Sequence, residues 1–132
     1  MRLLTLAYPQ MEQLYRRMVF NLLARNCDDH TKNFAFVMDK NGEWRLSPAY
    51  DVCFAYRPGS PWVSSQSLTV NGKRKNITTA DLQAVAKTVT IKKAAAIIDD
   101  VKAAVGNWAG YAAQSKVEER LLNGIAKELE GV

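Results

Sequence analysis

The sequence predicts a mainly helical α+β domain that carries one small β-hairpin, and three patterns support that prediction. After Pro9, apolar residues recur at three- and four-residue spacing, which is the period of a helix with one buried face. Between residues 34 and 46, two short apolar segments flank an Asn-Gly turn, a strong local signal for a hairpin. Beyond residue 78, helical periodicity returns and continues almost to the end of the chain.

The first helix is expected from about residue 10 to about residue 25. Proline is tolerated in the first turn of a helix, so Pro9 fits its start. One face then carries an apolar stripe formed by Met11, Leu14, Tyr15, Met18, Leu22 and Leu23. The polar run over 26–33 should end the helix and form a loop.

The predicted hairpin consists of strands over 34–38 and 43–46, joined by a turn that contains Asn-Gly. An antiparallel hairpin brings its two outer ends together. Asn33 precedes the first strand and Asp51 follows the second, so we expect these two residues to be neighbours in space. Trp44 and Tyr50 are interpreted as aromatic residues of the core.

The second half of the chain is expected to contain an irregular segment over 55–77 and three helices. A threonine at 78 or 79 should cap a short helix that ends near residue 87. Apolar stripes predict a longer helix over 90–106 and a last helix over 111–130. Gly131 is a candidate C-cap of the last helix.

Composition excludes several broad classes. A hydrophobic content of 48% with 23% charged residues is that of an ordinary globular domain, not of a disordered or fibrous chain. No apolar run has the eighteen or more residues that a membrane span needs, so we expect a cytoplasmic protein without membrane contact. Cys27 and Cys53 form no CxxC pair and the chain has one histidine, which argues against a zinc site. Two buried free thiols are expected.

The formal net charge of +5 favours anionic partners such as nucleotides, nucleic acid and acidic protein surfaces. A local concentration of positive charge occurs at Lys73-Arg74-Lys75. A solvated turn is the simpler interpretation of that cluster.

The most informative motif is Asp28-Asp29-His30-Thr31-Lys32-Asn33, followed after the predicted hairpin by Asp51. Phosphoryl transfer from ATP needs one carboxylate to orient the attacking hydroxyl, and an amide oxygen with a second carboxylate to hold magnesium on the phosphates. An Asp with an Asn five residues on, and another Asp after a hairpin, matches that requirement. The pattern resembles the catalytic loop and metal-binding Asp of protein kinases, and the form Asp-x-His-x-x-Asn resembles lipid kinases and atypical kinases more closely.

The expected roles follow from residue chemistry in that arrangement. Asp28 is the candidate base that orients the hydroxyl, and His30 is a second candidate catalytic residue, expected to act by ordering the loop. Lys32 would place positive charge near the transferred phosphoryl oxygens, and so counts as both catalytic and cofactor-binding. Asn33 and Asp51 are the expected magnesium ligands, the first neutral and the second anionic.

A narrower resemblance rests on the stretch from Leu23 to Phe34, on Trp44-Arg45-Leu46-Ser47-Pro48-Ala49-Tyr50-Asp51, and on the arginine-containing helix before them. These segments resemble the HipA family of bacterial Ser/Thr kinase toxins across essentially all 132 residues. The resemblance implies ATP and Mg²⁺ as cofactors and an aminoacyl-tRNA synthetase or another translation factor as the protein substrate. It also implies a DNA-binding antitoxin of the HipB type as partner, with DNA contacted through that antitoxin.

HipA-like kinases are about three times longer, and this chain has no Gly-rich phosphate loop. We therefore expect residues 1–132 to form a single domain, a truncated C-terminal kinase lobe that is inactive by itself. An alternative is a non-catalytic interaction module that binds an antitoxin or nucleic acid through its basic surface. A metal-dependent phosphohydrolase is less well supported, since such sites use a denser cluster of carboxylates and histidines.

Overall fold

The computed structural model describes residues 4–130. Within that range the regular elements are five α-helices and one antiparallel pair of strands, and a 3₁₀ turn covers Thr31–Asn33. In chain order they are α1 (Tyr8–Leu23), β1 (Phe36–Met38), β2 (Trp44–Leu46), α2 (Thr79–Thr88), α3 (Ala94–Gly106), α4 (Trp108–Gln114) and α5 (Glu119–Leu129). The predicted class, mainly helical with a small hairpin, is confirmed.

The first helix has close to the predicted bounds. Pro9 lies in the first turn of α1, where the missing N–H removes no helical hydrogen bond. The buried face of α1 presents Tyr15, Val19 and Leu23 to the interior. Most of the predicted stripe lies on or beside that face, with Met11, Met18 and Leu22 partly buried against the core.

The core lies between α1, α2 and α3. Val19, Leu82 and Ile98, one from each of these helices, are among its most deeply buried side chains. Each such burial stabilises the fold by about 1.5–3 kcal/mol. The hydroxyl of Tyr15 donates to the backbone oxygen of Leu82 at 3.0 Å, which ties α1 to α2. The loop that leaves the C-terminus of α1 therefore starts from a firmly packed element.

The hairpin pairs β1 with β2 so that Phe36 lies opposite Leu46. In its turn the Asp39 carboxylate accepts backbone N–H groups from residues 41 and 43, and Gly42 adopts a φ of +83°. Two contacts fasten the second strand to α1. The Leu46 N–H donates to Gln10 Oε1 at 2.7 Å, and an Arg17 guanidinium N–H donates to the oxygen of Ser47, the next residue.

The start of the second helical region matches the prediction. Thr78 and Asp81 form a capping box at the start of α2. The next helix is shorter than predicted, because α3 begins at Ala94 and not at Thr90. Thr90 has a φ of +60°, and the following N–H, that of Ile91, donates to the oxygen of Ala86. These residues therefore close α2 and do not open α3.

The prediction of one last helix over 111–130 is wrong. The structure has two helices there, α4 and α5, separated by the segment 115–118. Lys116 has a φ of +54°, and a right-handed helix cannot pass through a left-handed residue. The apolar residues that predicted this helix all lie after Lys116, so their four-residue spacing did not reveal the break; they are Val117, Leu121, Ile125 and Leu129. Leu121 is 56% exposed.

Three further predictions of burial are wrong. Trp44 is 41% exposed on the short second strand, and Tyr50 is 43% exposed beside the predicted site. Of the two free cysteines, Cys27 is buried but Cys53 is exposed. The predicted C-cap Gly131 lies outside the described residues.

None of the helices within residues 4–130 combines the length and the apolar character that crossing a membrane requires.

Candidate functional site

The loop that carries the motif begins with a sharp reversal after α1. Ala24 ends the helix, and Arg25 takes a φ of +54°, which turns the chain back along the helix end. Asn26 is then almost completely buried, and its amide donates to Asn21 Oδ1 at 3.1 Å. The same amide donates to the backbone oxygen of Asp51 at 3.2 Å. One side chain thus joins the start of the loop to the residue that follows the hairpin.

The segment after Asp51 runs parallel to the start of the loop. Asn26 and Ala55 form a parallel bridge, in which the Cys27 N–H donates to the Ala55 oxygen and the Ala55 N–H donates to the Arg25 oxygen, both at 3.0 Å. This pairing holds the segment that returns from the hairpin against the motif loop. The hairpin alone therefore does not determine where Asp51 lies.

Asn33 and Asp51 are in contact, as predicted from the hairpin. Asn33 Nδ2 donates to Asp51 Oδ2 at 2.7 Å and to the backbone oxygen of Asp28 at 3.0 Å. Asp51 is exposed and has a φ of +52°, a conformation that Asp tolerates better than most residues. One amide therefore links three parts of the motif.

Asp28 and His30 lie on the open side of the loop. The carboxylate of Asp28 is about half exposed, and its Oδ1 lies 3.8 Å from Nε2 of His30, too far for a hydrogen bond. His30 Nδ1 is buried without a hydrogen-bond partner among the described residues. The backbone N–H of His30 donates to the Asp28 oxygen at 2.9 Å, which tightens the turn. The carboxylate of Asp28 therefore remains accessible to an incoming hydroxyl group.

Lys32 is exposed on the 3₁₀ turn, and its Nζ has no hydrogen-bond or ion-pair partner within residues 4–130. Its backbone oxygen accepts the hydroxyl of Tyr50 at 2.5 Å. Tyr50, interpreted from sequence as a core residue, thus holds the 3₁₀ turn next to Asp51. No signal in the sequence indicated this role.

Asp29 is the second carboxylate of the motif, and it faces inward. It is 5% exposed, and its Oδ1 accepts the backbone N–H groups of Ser67 at 2.7 Å and Leu68 at 3.2 Å. The Ser67 hydroxyl donates to the oxygen of Cys27 at 2.9 Å. Burial raises the pKa of Asp29, although these two backbone N–H groups oppose that shift. The two adjacent carboxylates are therefore divided, with Asp28 facing solvent and Asp29 anchoring the loop.

Cys27 and Cys53, the two thiols near the motif, lack the lowered pKa of a nucleophilic cysteine. Burial, together with the charge of Asp29, raises the pKa of Cys27 to about 11. The pKa of Cys53 is also raised, by partial burial and by the negative charges of Asp51 and Asp28. Since the thiolate is the reactive form of cysteine, both side chains stay protonated and weakly nucleophilic at neutral pH.

The donor set of Asn33 and Asp51 fits a magnesium ion that is shared with a phosphate ligand. Mg²⁺ is commonly held by one or two protein oxygens, with water and substrate phosphates completing its octahedron. Turning the Asn33 amide about its last side-chain bond would present its oxygen next to the exposed Asp51 carboxylate. No group of three or more His, Cys, Asp or Glu side chains that could hold a metal occurs in the described part of the chain.

Comparison with known proteins identifies the family. The family model described as the HipA-like C-terminal domain matches residues 1–108, which reach from the first residue to the start of α4. The match is shorter than the resemblance expected from the sequence, and residues 109–132 lie outside it. No curated protein and no solved structure matches the chain. The chain belongs to the family of HipA-like C-terminal domains.

Proposed function

We propose that this chain carries the catalytic loop and the metal-binding residues of an ATP- and Mg²⁺-dependent Ser/Thr protein kinase of the HipA type. The observation that carries the proposal is the contact between Asn33 and Asp51 at 2.7 Å, beside the half-exposed carboxylate of Asp28. Asp and Asn five residues apart, with a second Asp brought to the Asn by a hairpin, is the arrangement that phosphoryl transfer uses. Membership of the HipA-like family supports the same assignment.

In this proposal each side chain has one task. Asp28 accepts a hydrogen bond from the substrate hydroxyl and takes its proton during transfer. Lys32, exposed and unpaired within residues 4–130, places positive charge next to the transferred phosphoryl group. Asn33 and Asp51 would hold magnesium, which when bound neutralises charge on the phosphates. Tyr50 and Asp29 keep the loop in position through the backbone of residues 32, 67 and 68.

Metal binding tests the proposal directly in this chain. Mn²⁺, a paramagnetic substitute for Mg²⁺, is added with a non-hydrolysable ATP analogue to the ¹⁵N-labelled protein. We expect selective broadening of the backbone signals of Asn33 and Asp51. Asp51→Asn should weaken the effect at least about tenfold, since a charged contact is lost. Asp99→Asn, on the exposed surface of α3, removes the same charge elsewhere and should have no effect.

Two results would contradict the proposal. The first is an equal change of the Mn²⁺ broadening in the Asp51→Asn and Asp99→Asn variants. The second comes from measuring phosphoryl transfer from labelled ATP on the protein as its gene encodes it. In that assay the Asp28→Asn variant should keep the Mn²⁺ broadening, but its rate of transfer should fall about 10²–10⁴-fold, the usual contribution of a general base. Undiminished transfer in that variant would remove Asp28 from the mechanism.

The substrate and partner are proposed on the family alone. We propose an aminoacyl-tRNA synthetase or another translation factor as substrate, and a DNA-binding antitoxin of the HipB type as partner. Absence of any Mn²⁺ effect at Asn33 and Asp51 would favour the alternative of a non-catalytic interaction module. The net charge of +5 suits an acidic partner surface in either case.

A further inference from the structure

A polar cleft of about 320 Å³ lies on the side of the motif loop that carries Cys27. Its lining includes none of the residues proposed for catalysis. It is formed where the reversal after α1 meets the segments 64–66 and 74–77. The side chains that give it chemical character are Arg25, Tyr56, Ser65, Gln66, Arg74 and Lys75.

Three cations line this cleft without a carboxylate to neutralise them. Within residues 4–130, neither Arg25 nor Arg74 nor Lys75 lies within 4.0 Å of an acidic side chain. The positive charge of Arg74 opposes the rise in the pKa of buried Asp29, but the Asp29 carboxylate already accepts hydrogen bonds from two backbone N–H groups. Like charges held together without compensation favour an anionic ligand.

The two arginines are held in place by backbone contacts, so their positions do not depend on a ligand. Arg25 Nε donates to the oxygen of Glu128 at 3.0 Å, and its guanidinium lies over the ring of Tyr56, 4.5 Å from the centroid. Arg74 Nε donates to the backbone oxygen of Gln66 at 2.6 Å. The terminal N–H groups of both guanidiniums remain available, and such groups bind phosphate in a bidentate manner.

An independent feature of the same cleft is an unsatisfied acceptor. Gln66 is 3% exposed, and its Oε1 is buried without a hydrogen-bond partner in the described part of the chain. Buried polar atoms normally have a partner, and Gln66 is one of the residues that line the cleft, so a ligand with a donor group would supply the partner that Oε1 lacks. The phosphate group of a fully ionised phosphomonoester offers only acceptors, so a second group of the ligand has to donate to Gln66 Oε1.

We propose that this cleft binds a phosphomonoester that carries an N–H or O–H donor close to its phosphate, of about the size of phosphoserine. The phosphate contacts Arg25, Arg74 and Lys75, and the neighbouring donor contacts Gln66 Oε1. Phosphoserine has both groups, whether it is the free amino acid or a residue in a peptide. At neutral pH its phosphate carries a charge of about −1.5 to −2, which matches the unpaired cations.

Calorimetry and ¹⁵N spectra of the chain at about pH 8 test this with four probes: O-phospho-L-serine, N-acetyl-phosphoserine amide, methyl phosphate and L-serine. At that pH, which is above the second phosphate pKa of about 6, methyl phosphate is a dianion without a donor group. We expect one binding site, with both phosphoserine compounds bound more tightly than methyl phosphate and with no binding of serine. Preference for the free or the capped compound distinguishes a metabolite from a phosphorylated protein. Methyl phosphate that binds as tightly as both phosphoserine compounds would overturn the proposal, as would signal changes remote from Gln66.

Variants make the assignment specific. Lys75→Gln should weaken phosphoserine binding about tenfold or more, the usual effect of losing a charged contact. Lys40→Gln, in the exposed hairpin turn, removes the same charge and should leave the affinity unchanged. Gln66→Met keeps the length of the side chain and should abolish the preference for phosphoserine over methyl phosphate. Equal weakening by Lys75→Gln and Lys40→Gln would show a non-specific charge effect and refute the site.

Discussion

Asp29 gives the sharpest test of how the motif loop is held. Its carboxylate is 5% exposed and accepts the N–H groups of Ser67 and Leu68. Asp29→Ala leaves both donors without their acceptor, at a cost of about 1–3 kcal/mol each. Relief of the desolvation that raises the pKa of Asp29 offsets part of this cost. We expect a net loss of about 2–4 kcal/mol in the free energy of unfolding.

Asp29→Asn is the matched comparison. The amide oxygen of the asparagine can accept the same two N–H groups and has no charge to desolvate, so the loss should be below about 1 kcal/mol. Urea denaturation at neutral pH measures both variants, with the slope of the transition checked for constancy. Hydrogen exchange at Ser67 and Leu68 should accelerate in the Ala variant and stay protected in the Asn variant. Equal destabilisation by Ala and Asn would refute this reasoning.

The raised pKa of Asp29 predicts a pH dependence of known sign. The stability that its protonated form contributes is fully present below the unfolded pKa, which is about 3.9. That contribution is lost as the pH rises through the higher folded pKa, because the folded state holds its proton longer than the unfolded state. The Asp29→Asn variant has no carboxyl proton to lose at this position, so its stability relative to the native chain should increase over this interval.

Two further predictions concern the helical part of the fold. The pKa of Asp81 is lowered because the Asn71 amide, the Thr78 N–H and the Lys73 ammonium bind its carboxylate. Its ionised form therefore stabilises the fold above the unfolded pKa of about 4, and this stabilisation should decrease as the pH falls from there toward the folded pKa. In Asp81→Asn the free energy of unfolding should depend less on pH in this acidic range, and an unchanged pH dependence would contradict the prediction. Leu82→Ala, in the core, should cost about 2–5 kcal/mol in urea denaturation. The exposed control Leu121→Ala should cost less than about 0.5 kcal/mol, and similar losses for the two would mean that the core is misplaced.

The motif and the hairpin show how far local sequence signals reach. The Asn-Gly pair specified a tight turn, and antiparallel pairing then required the ends of the hairpin to meet. The proximity of Asn33 and Asp51 was predictable from that geometry, although the contacts of Asn26 with Asp51 and Ala55 also fix the position of Asp51. The family was also recognisable from the motif, because its residue types and their spacing can be read directly from the sequence.

Other features depend on partners far along the chain. Asp28 and Asp29 are identical in type and adjacent, yet one faces solvent and the other is buried. They differ because Asp29 accepts hydrogen bonds from the N–H groups of Ser67 and Leu68, which lie 38 and 39 residues along the chain. No local sequence pattern predicts these hydrogen bonds. The exposure of Tyr50 also depends on a tertiary contact, because its hydroxyl donates to the backbone oxygen of Lys32.

The helical class, the hairpin, the family and the proximity of Asn33 to Asp51 were all predicted from the amino-acid sequence alone. Periodicity and turn chemistry are local properties, so they can be identified without knowing how the chain packs. The three-dimensional structure was needed to learn which carboxylate is buried, that the last helical region breaks at Lys116, and that Arg25, Arg74 and Gln66 share one cleft. These features result from contacts between distant segments, whose free energies depend on the packing of the whole domain.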